Sequence, residues 1–422
     1  MTEDHIRKNY KPRIVDKEVM RALSLMGGVQ ITGCKWCGKS WTGTMHSRSS
    51  AYIGTSENRK LAEMSPETIL SGDEPRLIDE WQDVPNLWDV ARYKIDFENR
   101  KGMFIFAGSS VPPINSTSHT GTGRFATVKM KPMSLFESGI SSGSVSLSKM
   151  FDGNGTVASA SKMNYEKAVR IICRGGWPSN LGLSDDDAFE IPRMYGTSVV
   201  NSDLSRIDGK KRNKENFSRL LRSLARNVAT AATINTLIKD MSGDDSKPSE
   251  NTVKDYLNVL KKMFLIEDQY GWKPEIRSRM RIRSSPRRHF VDPSLAVIFL
   301  RSNPDKLIRD PKTSGFLFES LCYRDVSIYT SAQGGSISYY RDGSGLEVDM
   351  IVETNDGRWG AIEVKMGYQD IDEAASNLLS LKKKFAGLTD EPSFLMVLCA
   401  TCGAAYMRDD GVAVVPIDCL GP

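Results

Sequence analysis

The stretch Gly33-Cys-Lys-Trp-Cys-Gly-Lys-Ser40 carries two spacings that would do different chemistry. Cys34 and Cys37 form C-x-x-C, a metal or redox spacing. The same residues also read G-x-x-x-x-G-K-S, a phosphate cradle. Such a cradle needs backbone N–H groups pointing inward, a lysine bridging the β and γ phosphates, and a hydroxyl on Mg²⁺. Gly33, Gly38, Lys39 and Ser40 match these roles. A Mg-nucleotide site also needs acid at the end of a neighbouring strand, and Leu77-Ile-Asp-Glu80 supplies two carboxylates. Asp79 would bind the Mg²⁺ shell and Glu80 would orient the attacking water. The polar end of FIFAGSS puts Ser109 or Ser110 where it can sense a γ-phosphate. A zinc site joining Cys34/Cys37 to Cys399/Cys402 is not expected, because their separation is far above the usual roughly 15–20 residues. Cys34 and Cys37 are then loop residues, whose oxidation would distort the cradle if they are exposed. Cys399 and Cys402 are expected to be buried thiols.

A second set of chemically able residues lies near the C-terminus. Asp349, thirteen intervening residues and Glu363-Val-Lys365 spell D-x13-E-x-K on two adjoining strands, with Glu319 on the preceding helix. Carboxylates converging on Mg²⁺ beside a lysine are what metal-dependent phosphodiester cleavage requires. The pattern resembles the PD-(D/E)xK nuclease-like fold, although Val348 stands where that motif has proline.

Between the two sets, Arg277, Arg279, Arg281 and Arg283 alternate, so on a strand all four project from one face and need a counter-anion. Lys273, Arg287 and Arg288 extend this patch, and Lys210, Lys211, Arg212, Lys214, Arg219, Arg222 and Arg226 form another. Helices followed by a basic hairpin resemble a winged helix-turn-helix, which neutralises DNA phosphates with its wing. Scarce aromatics favour duplex-backbone contacts over base stacking. A solvated basic surface or an intersubunit salt-bridge layer is the alternative.

The elements needed to position these groups are legible. DKEVMRALSLM has helical spacing, Val29–Thr32 is a strand, and SWTGTMHS continues as a helix behind the glycine-rich turn. Arg76–Glu80 and Gly102–Ser109 read as further buried strands. Alternation of this kind points to a parallel sheet with functional groups at its carboxyl ends. The domains expected are 1–135, 136–200 as a lid region, 201–311 as a basic, mainly helical domain, and 312–422 as an α/β domain. The Ser- and Gly-rich residues 140–165 read as loop or junction.

The 422 residues are 40% hydrophobic, enough for several cores. Basic and acidic residues number 57 and 52, so the net charge of +5 says little about partners. Seven scattered cysteines argue against a disulfide scaffold. No apolar run reaches the roughly 18 residues of a membrane span, and a cytoplasmic protein is expected.

The order PRIVDKE, GCKWCGKS, RLIDEWQ, FIFAGSS, HTGTGRF and MKPMSLFESG resembles the prokaryotic AAA+-related ATPases with a C-terminal domain of unknown function (AAA_14/DUF4143), over essentially the whole chain. The resemblance implies an α/β fold: a P-loop NTPase (AAA+-like) domain with a lid, a winged-helix-like α domain and a C-terminal α/β restriction-endonuclease-like domain. It implies ATP and Mg²⁺ as ligands, a homo-oligomeric ring of hexamer or heptamer type, and DNA as a partner. Ser109 becomes a sensor, and Arg124 an arginine finger completing a neighbour's site. Arg174 and Pro178 of RGGWP become a lid motif near adenine. An intramolecular salt bridge for Arg124 and core packing for Trp177 remain open. An ATP-gated nuclease, a protein-remodelling ATPase and a nucleotide-gated scaffold stay as alternative functions.

Overall fold

The computed structural model describes residues 2–109, 121–155, 158–203, 212–242, 247–273 and 285–422. Their contacts divide them into two units, one built on Met1–Pro132 with Val259–Leu265, the other on Met133–Ser202, Arg212–Asn258 and Ile266–Pro422.

The N-terminal unit opens with helices α1 (Glu3–Asn9) and α2 (Asp16–Leu25), then alternates strands and helices: β1 (Gly28–Thr32), α3 (Lys39–His46), β2 (Ser49–Tyr52), α4 (Ser56–Met64), α5 (Pro66–Leu70), β3 (Arg76–Asp79), α6 (Asn86–Glu98), β4 (Phe104–Gly108) and β5 (Phe125–Lys129). The strands form one parallel sheet in the order β2-β3-β4-β1-β5. Every residue of β4 is buried, as expected of a central strand covered on both faces. Beneath it Trp88 stacks between Trp81 and Phe125, at 4.9 and 4.1 Å between ring centroids, with Phe106 edge-on to all three. This aromatic block fixes the carboxyl end of β3, where the acidic pair sits. The sequence pattern did not reveal β2 or β5, which are short and only partly apolar. With the glycine-rich turn between β1 and α3, this is a P-loop NTPase sheet of AAA+-like kind.

The second unit begins with β6 (Val145–Ser146), α7 (Leu147–Phe151), β7 (Ser159–Ala160), α8 (Tyr165–Arg174) and α9 (Asp185–Ser198). Three helices follow, α10 (Lys214–Arg226), α11 (Ile234–Met241) and α12 (Glu250–Lys262), the last counted with this unit only to Asn258, then the antiparallel pair β8 (Ile266–Gln269) and β9 (Arg287–Phe290). The chain continues through α13 (Pro293–Phe299), α14 (Pro304–Ile308), α15 (Pro311–Ser331), β10 (Ser336–Arg341), β11 (Glu347–Glu353), β12 (Trp359–Lys365), α16 (Ile371–Phe385), β13 (Phe394–Cys399), β14 (Ala404–Met407), β15 (Val412–Pro416) and β16 (Leu420–Gly421). A mixed sheet runs β10-β11-β12-β13-β15-β14-β7. The Ser/Gly-rich stretch is therefore more than a junction. Its β7 closes that sheet against β14, and its β6 pairs with β16.

The core of this sheet joins Trp272, Tyr340 and Trp359 to Leu378, Leu381 and Phe385 of α16. A second, polar core surrounds Arg324, whose Nε donates to Asp325 and Nη1 to Asp292, both at 2.8 Å, with all three side chains buried. Among the described residues no helix is long and apolar enough to cross a membrane.

Candidate functional site

The carboxyl ends of β1, β3 and β4 bring the candidate nucleotide-site residues together. Gly33 leaves β1 so close to β5 that a Cβ on it would stand 2.1 Å from the Met130 carbonyl oxygen. Gly38 sits at φ 104°, a left-handed conformation, and starts α3 with no side-chain cap. Lys39 folds back and donates from Nζ to the Cys34 carbonyl at 2.8 Å. Ser40 Oγ donates to Asp79 Oδ1 at 3.0 Å. A hydroxyl and a carboxylate thus converge from α3 and β3, a donor set that fits Mg²⁺.

Asp79 is buried, which with the charge of Glu80 pushes its carboxyl up to about 6. Glu80 follows at φ 54°, a left-handed backbone rare for a non-glycine residue. Its N–H donates to Ala107 at 2.9 Å, and its carboxylate accepts from Gln82 Nε2. Ser109 is buried at the end of β4. Ser110 lies outside the described residues.

Two supporting residues had no role assigned from sequence. Arg13 donates from Nη1 to the Cys37 carbonyl and from Nη2 to the Lys131 carbonyl, both at 2.8 Å, bracing the loop against the exit of β5. Gln82 holds Glu80; its position just behind the acidic pair was the available signal. The loop cysteines are both fully buried, so the condition for easy oxidation is not met. Burial opposes ionisation of Cys37, but a hydrogen bond from Cys34 and the charges of Lys39 and Arg13 bring its thiol down to about 6.

Arg124 follows Gly121-Thr-Gly and is 41% exposed, with Nε donating to Asp96 Oδ1 of α6 at 2.6 Å. Arg174 and Pro178 belong to the second unit. There Arg174 ends α8 and donates to the Asn180 carbonyl at 2.6 Å, beside Asp185. Trp177 is core, its Nε1 donating to Ser294 Oγ at 3.0 Å and its ring against Tyr195.

The C-terminal set also converges, in different company from that expected. Arg287 Nη1 donates to Glu319 Oε1 at 2.5 Å and to Asp349 Oδ1 at 3.2 Å, and Nη2 donates to Glu347. Lys365 pairs with Glu363 at 3.5 Å. Burial first, then the neighbouring Asp349, holds Glu319 and Glu363 well above the usual carboxylate range.

Several basic residues expected on a surface patch are corrected by these contacts. Arg287 and Arg288 are buried, Arg288 donating to the Ala232 carbonyl at 2.7 Å. Arg212 is equally enclosed and pairs with Asp255 at 2.8 Å. A buried guanidinium holds to carboxylates and carbonyls inside the fold, so none of the three is available to DNA. Arg277, Arg279, Arg281 and Arg283 lie outside the described residues, as do Lys210 and Lys211. Cys399 and Cys402 are joined as a disulfide rather than standing as two thiols.

Residues 28–138 match the family model described as AAA domain. Residues 165–306 and 314–420 match two domains of unknown function, DUF8612 and DUF4143. No curated protein matches the chain. Similar solved structures include a Walker-type ATPase of Pyrococcus abyssi, 14% identical, covering 69% of this chain and 97% of that one with a TM-score of 0.44. The RuvB Holliday junction branch migration motor of Thermotoga maritima is 12% identical over 60% of this chain and 88% of its own, TM-score 0.25. AMPPCP-bound DnaA from Aquifex aeolicus is 12% identical over 58% and 86%, TM-score 0.24. The chain therefore carries an AAA-type P-loop ATPase domain at residues 28–138 and a DUF4143 domain at residues 314–420.

Proposed function

We propose that this protein binds Mg-ATP in the Gly33–Ser40 loop, hydrolyses it with Glu80 as the water-orienting base, and couples turnover to DNA as a homo-oligomer. The observation that carries the ATPase step is the Ser40–Asp79 contact beside Lys39 at the carboxyl edge of the parallel sheet.

Each group has a defined task. Lys39 exchanges the Cys34 carbonyl for β- and γ-phosphate oxygens, and the N–H groups at the start of α3 take the remaining phosphate charge. Ser40 and Asp79 would hold a Mg²⁺, which when bound would supply positive charge at the phosphates. Glu80, steadied by Gln82, points a water at the γ-phosphorus and accepts its proton. Ser109 reads whether the γ-phosphate is present. Arg124 leaves Asp96 on assembly and reaches the γ-phosphate of the adjacent subunit, an exchange made easy by the exposure of the pair.

The DNA step rests on the row Arg277, Arg279, Arg281 and Arg283, which lies in the sequence between β8 and β9. The order of three helices followed by an antiparallel strand pair supports a winged-helix reading of this region. Arg174 and Pro178 are proposed as the lid contribution near adenine. The test is ATP turnover with and without duplex, forked and single-stranded DNA, for the wild type, Lys39→Ala and a charge-reversed Arg279/Arg281 variant. DNA stimulation that persists after charge reversal removes the arginine row from the account.

A further inference from the structure

The resemblance of Asp349, Glu363 and Lys365 to a metal-dependent nuclease centre implies a divalent cation between the carboxylates. The residues present do not fit one. One guanidinium nitrogen, Arg287 Nη1, bridges Glu319 and Asp349, and the other terminal nitrogen takes Glu347. The second Asp349 oxygen accepts the Val364 N–H at 2.9 Å. Both oxygens of the carboxylate that should lead metal binding are thus engaged by donors. Mg²⁺ requires oxygens at about 2.0–2.1 Å in near-octahedral array, and the Arg287 guanidinium fills the space between Glu319 and Asp349 that the ion would need. Among the described residues no cluster of three or more His, Cys, Asp or Glu is arranged to hold a metal.

Arg287 is also built into its place. Its side chain is 5% exposed and its guanidinium lies 5.0 Å over the Tyr339 ring. It sits on β9 opposite Gln269 of β8. Gln269 Nε2 donates to the Asp349 carbonyl at 2.7 Å and the Ser338 carbonyl at 3.0 Å. Two residues further along β9, His289 hydrogen-bonds Gln269 and Ser320 and stacks on Tyr323 of α15 at 4.0 Å. The strand pair is therefore fastened to α15, β10 and β11 through the same residues that would have formed the metal centre.

We infer that Arg287 is the resident cation of this acidic centre, and that the C-terminal domain uses its nuclease-like residues as a clamp for the β8–β9 pair rather than to cleave phosphodiesters. Glu319, Asp349 and Glu347 all accept from the guanidinium, and Lys365 lies beside Glu363. The position between Glu319 and Asp349 that a nuclease leaves for metal is taken inside the chain by Arg287.

The test uses the full chain carrying Asp79→Asn, so that the ATP site does not contribute, titrated with Mn²⁺ and followed by the spin-resonance signal of free Mn²⁺. Supercoiled plasmid nicking in Mg²⁺ or Mn²⁺ is measured in parallel. The expected result is Mn²⁺ binding unchanged within twofold by Glu363→Gln, and nicking no higher than in Asp349→Ala. Arg287→Met, where it folds, should gain a Mn²⁺ site at least tenfold tighter than anything in its parent, and Glu363→Gln should remove it. Metal-dependent nicking by the parent that Asp349→Ala or Glu363→Gln abolishes would overturn the inference. A Mn²⁺ site in the parent that Glu363→Gln removes does the same, as does a folded Arg287→Met protein that gains no Mn²⁺ site. If Arg287→Met does not fold, the parent measurements decide the matter alone.

Discussion

Ser40 Oγ donates to Asp79 Oδ1 at 3.0 Å, joining two residues 39 positions apart in the chain. Asp79→Asn keeps the hydrogen bond but removes the charge proposed to face Mg²⁺. ATP turnover should fall by about 100-fold or more, the scale seen when one preorganised electrostatic group is removed. Thermal unfolding without nucleotide should change little. Steady-state phosphate release and a melting curve check both.

Burial and the adjacent Glu80 raise the Asp79 carboxyl to about 6. Protons and Mg²⁺ compete for the same oxygens, and Mg²⁺ binding expels the proton. Mg-ATP affinity should therefore be flat above about pH 6 and weaken by up to about tenfold per unit below it. A fluorescent ATP analogue titrated from pH 5 to 8 measures this. Asp79→Asn should flatten the profile, whereas a profile unchanged by that substitution would assign the titration elsewhere.

Arg124 and Asp96 form an exposed pair. Such pairs contribute about 0–1 kcal/mol, so Arg124→Ala should leave stability almost untouched. As an arginine finger it should lower turnover by about 10³-fold or more. Mixing it with Lys39→Ala should restore activity, because one subunit keeps an intact loop and its neighbour an intact finger. Turnover equal to wild type would reduce Arg124 to a surface salt bridge.

Much of the candidate nucleotide site is legible in sequence because its parts are contiguous. Gly33, Gly38, Lys39 and Ser40 fall in one turn, and Asp79 and Glu80 end one apolar strand. Arg13 is not legible in this way, since it meets Cys37 only after the chain has crossed 24 residues. Arg287 shows a deeper limit. Two adjacent arginines beside a basic row look like a surface, yet β9 is buried at all four positions, so Arg287 meets carboxylates and Arg288 a carbonyl. Side-chain type gives the charge, and only tertiary packing gives the counter-ion. β7 was similarly hidden, because two residues of a Ser/Gly-rich stretch carry no period for a strand.

Arg324 lies between Asp292 and Asp325 with all three side chains almost wholly enclosed. Arg324→Met removes the cation and strands two carboxylates in the core. The variant should lose about 3–5 kcal/mol of stability, read as a lower urea midpoint for the second unit's transition. A shift of less than about 1 kcal/mol would show that water or relaxation compensates the carboxylates.

ATP hydrolysis is tested most directly by comparing wild type, Glu80→Gln and Lys39→Ala for bound nucleotide and for phosphate release in Mg²⁺. The account predicts that Glu80→Gln binds ATP about as well as wild type while releasing phosphate at least about 100-fold more slowly. Lys39→Ala should lose both. Equal turnover in Glu80→Gln and wild type, or tight ATP binding by the wild type with no phosphate release, would contradict it.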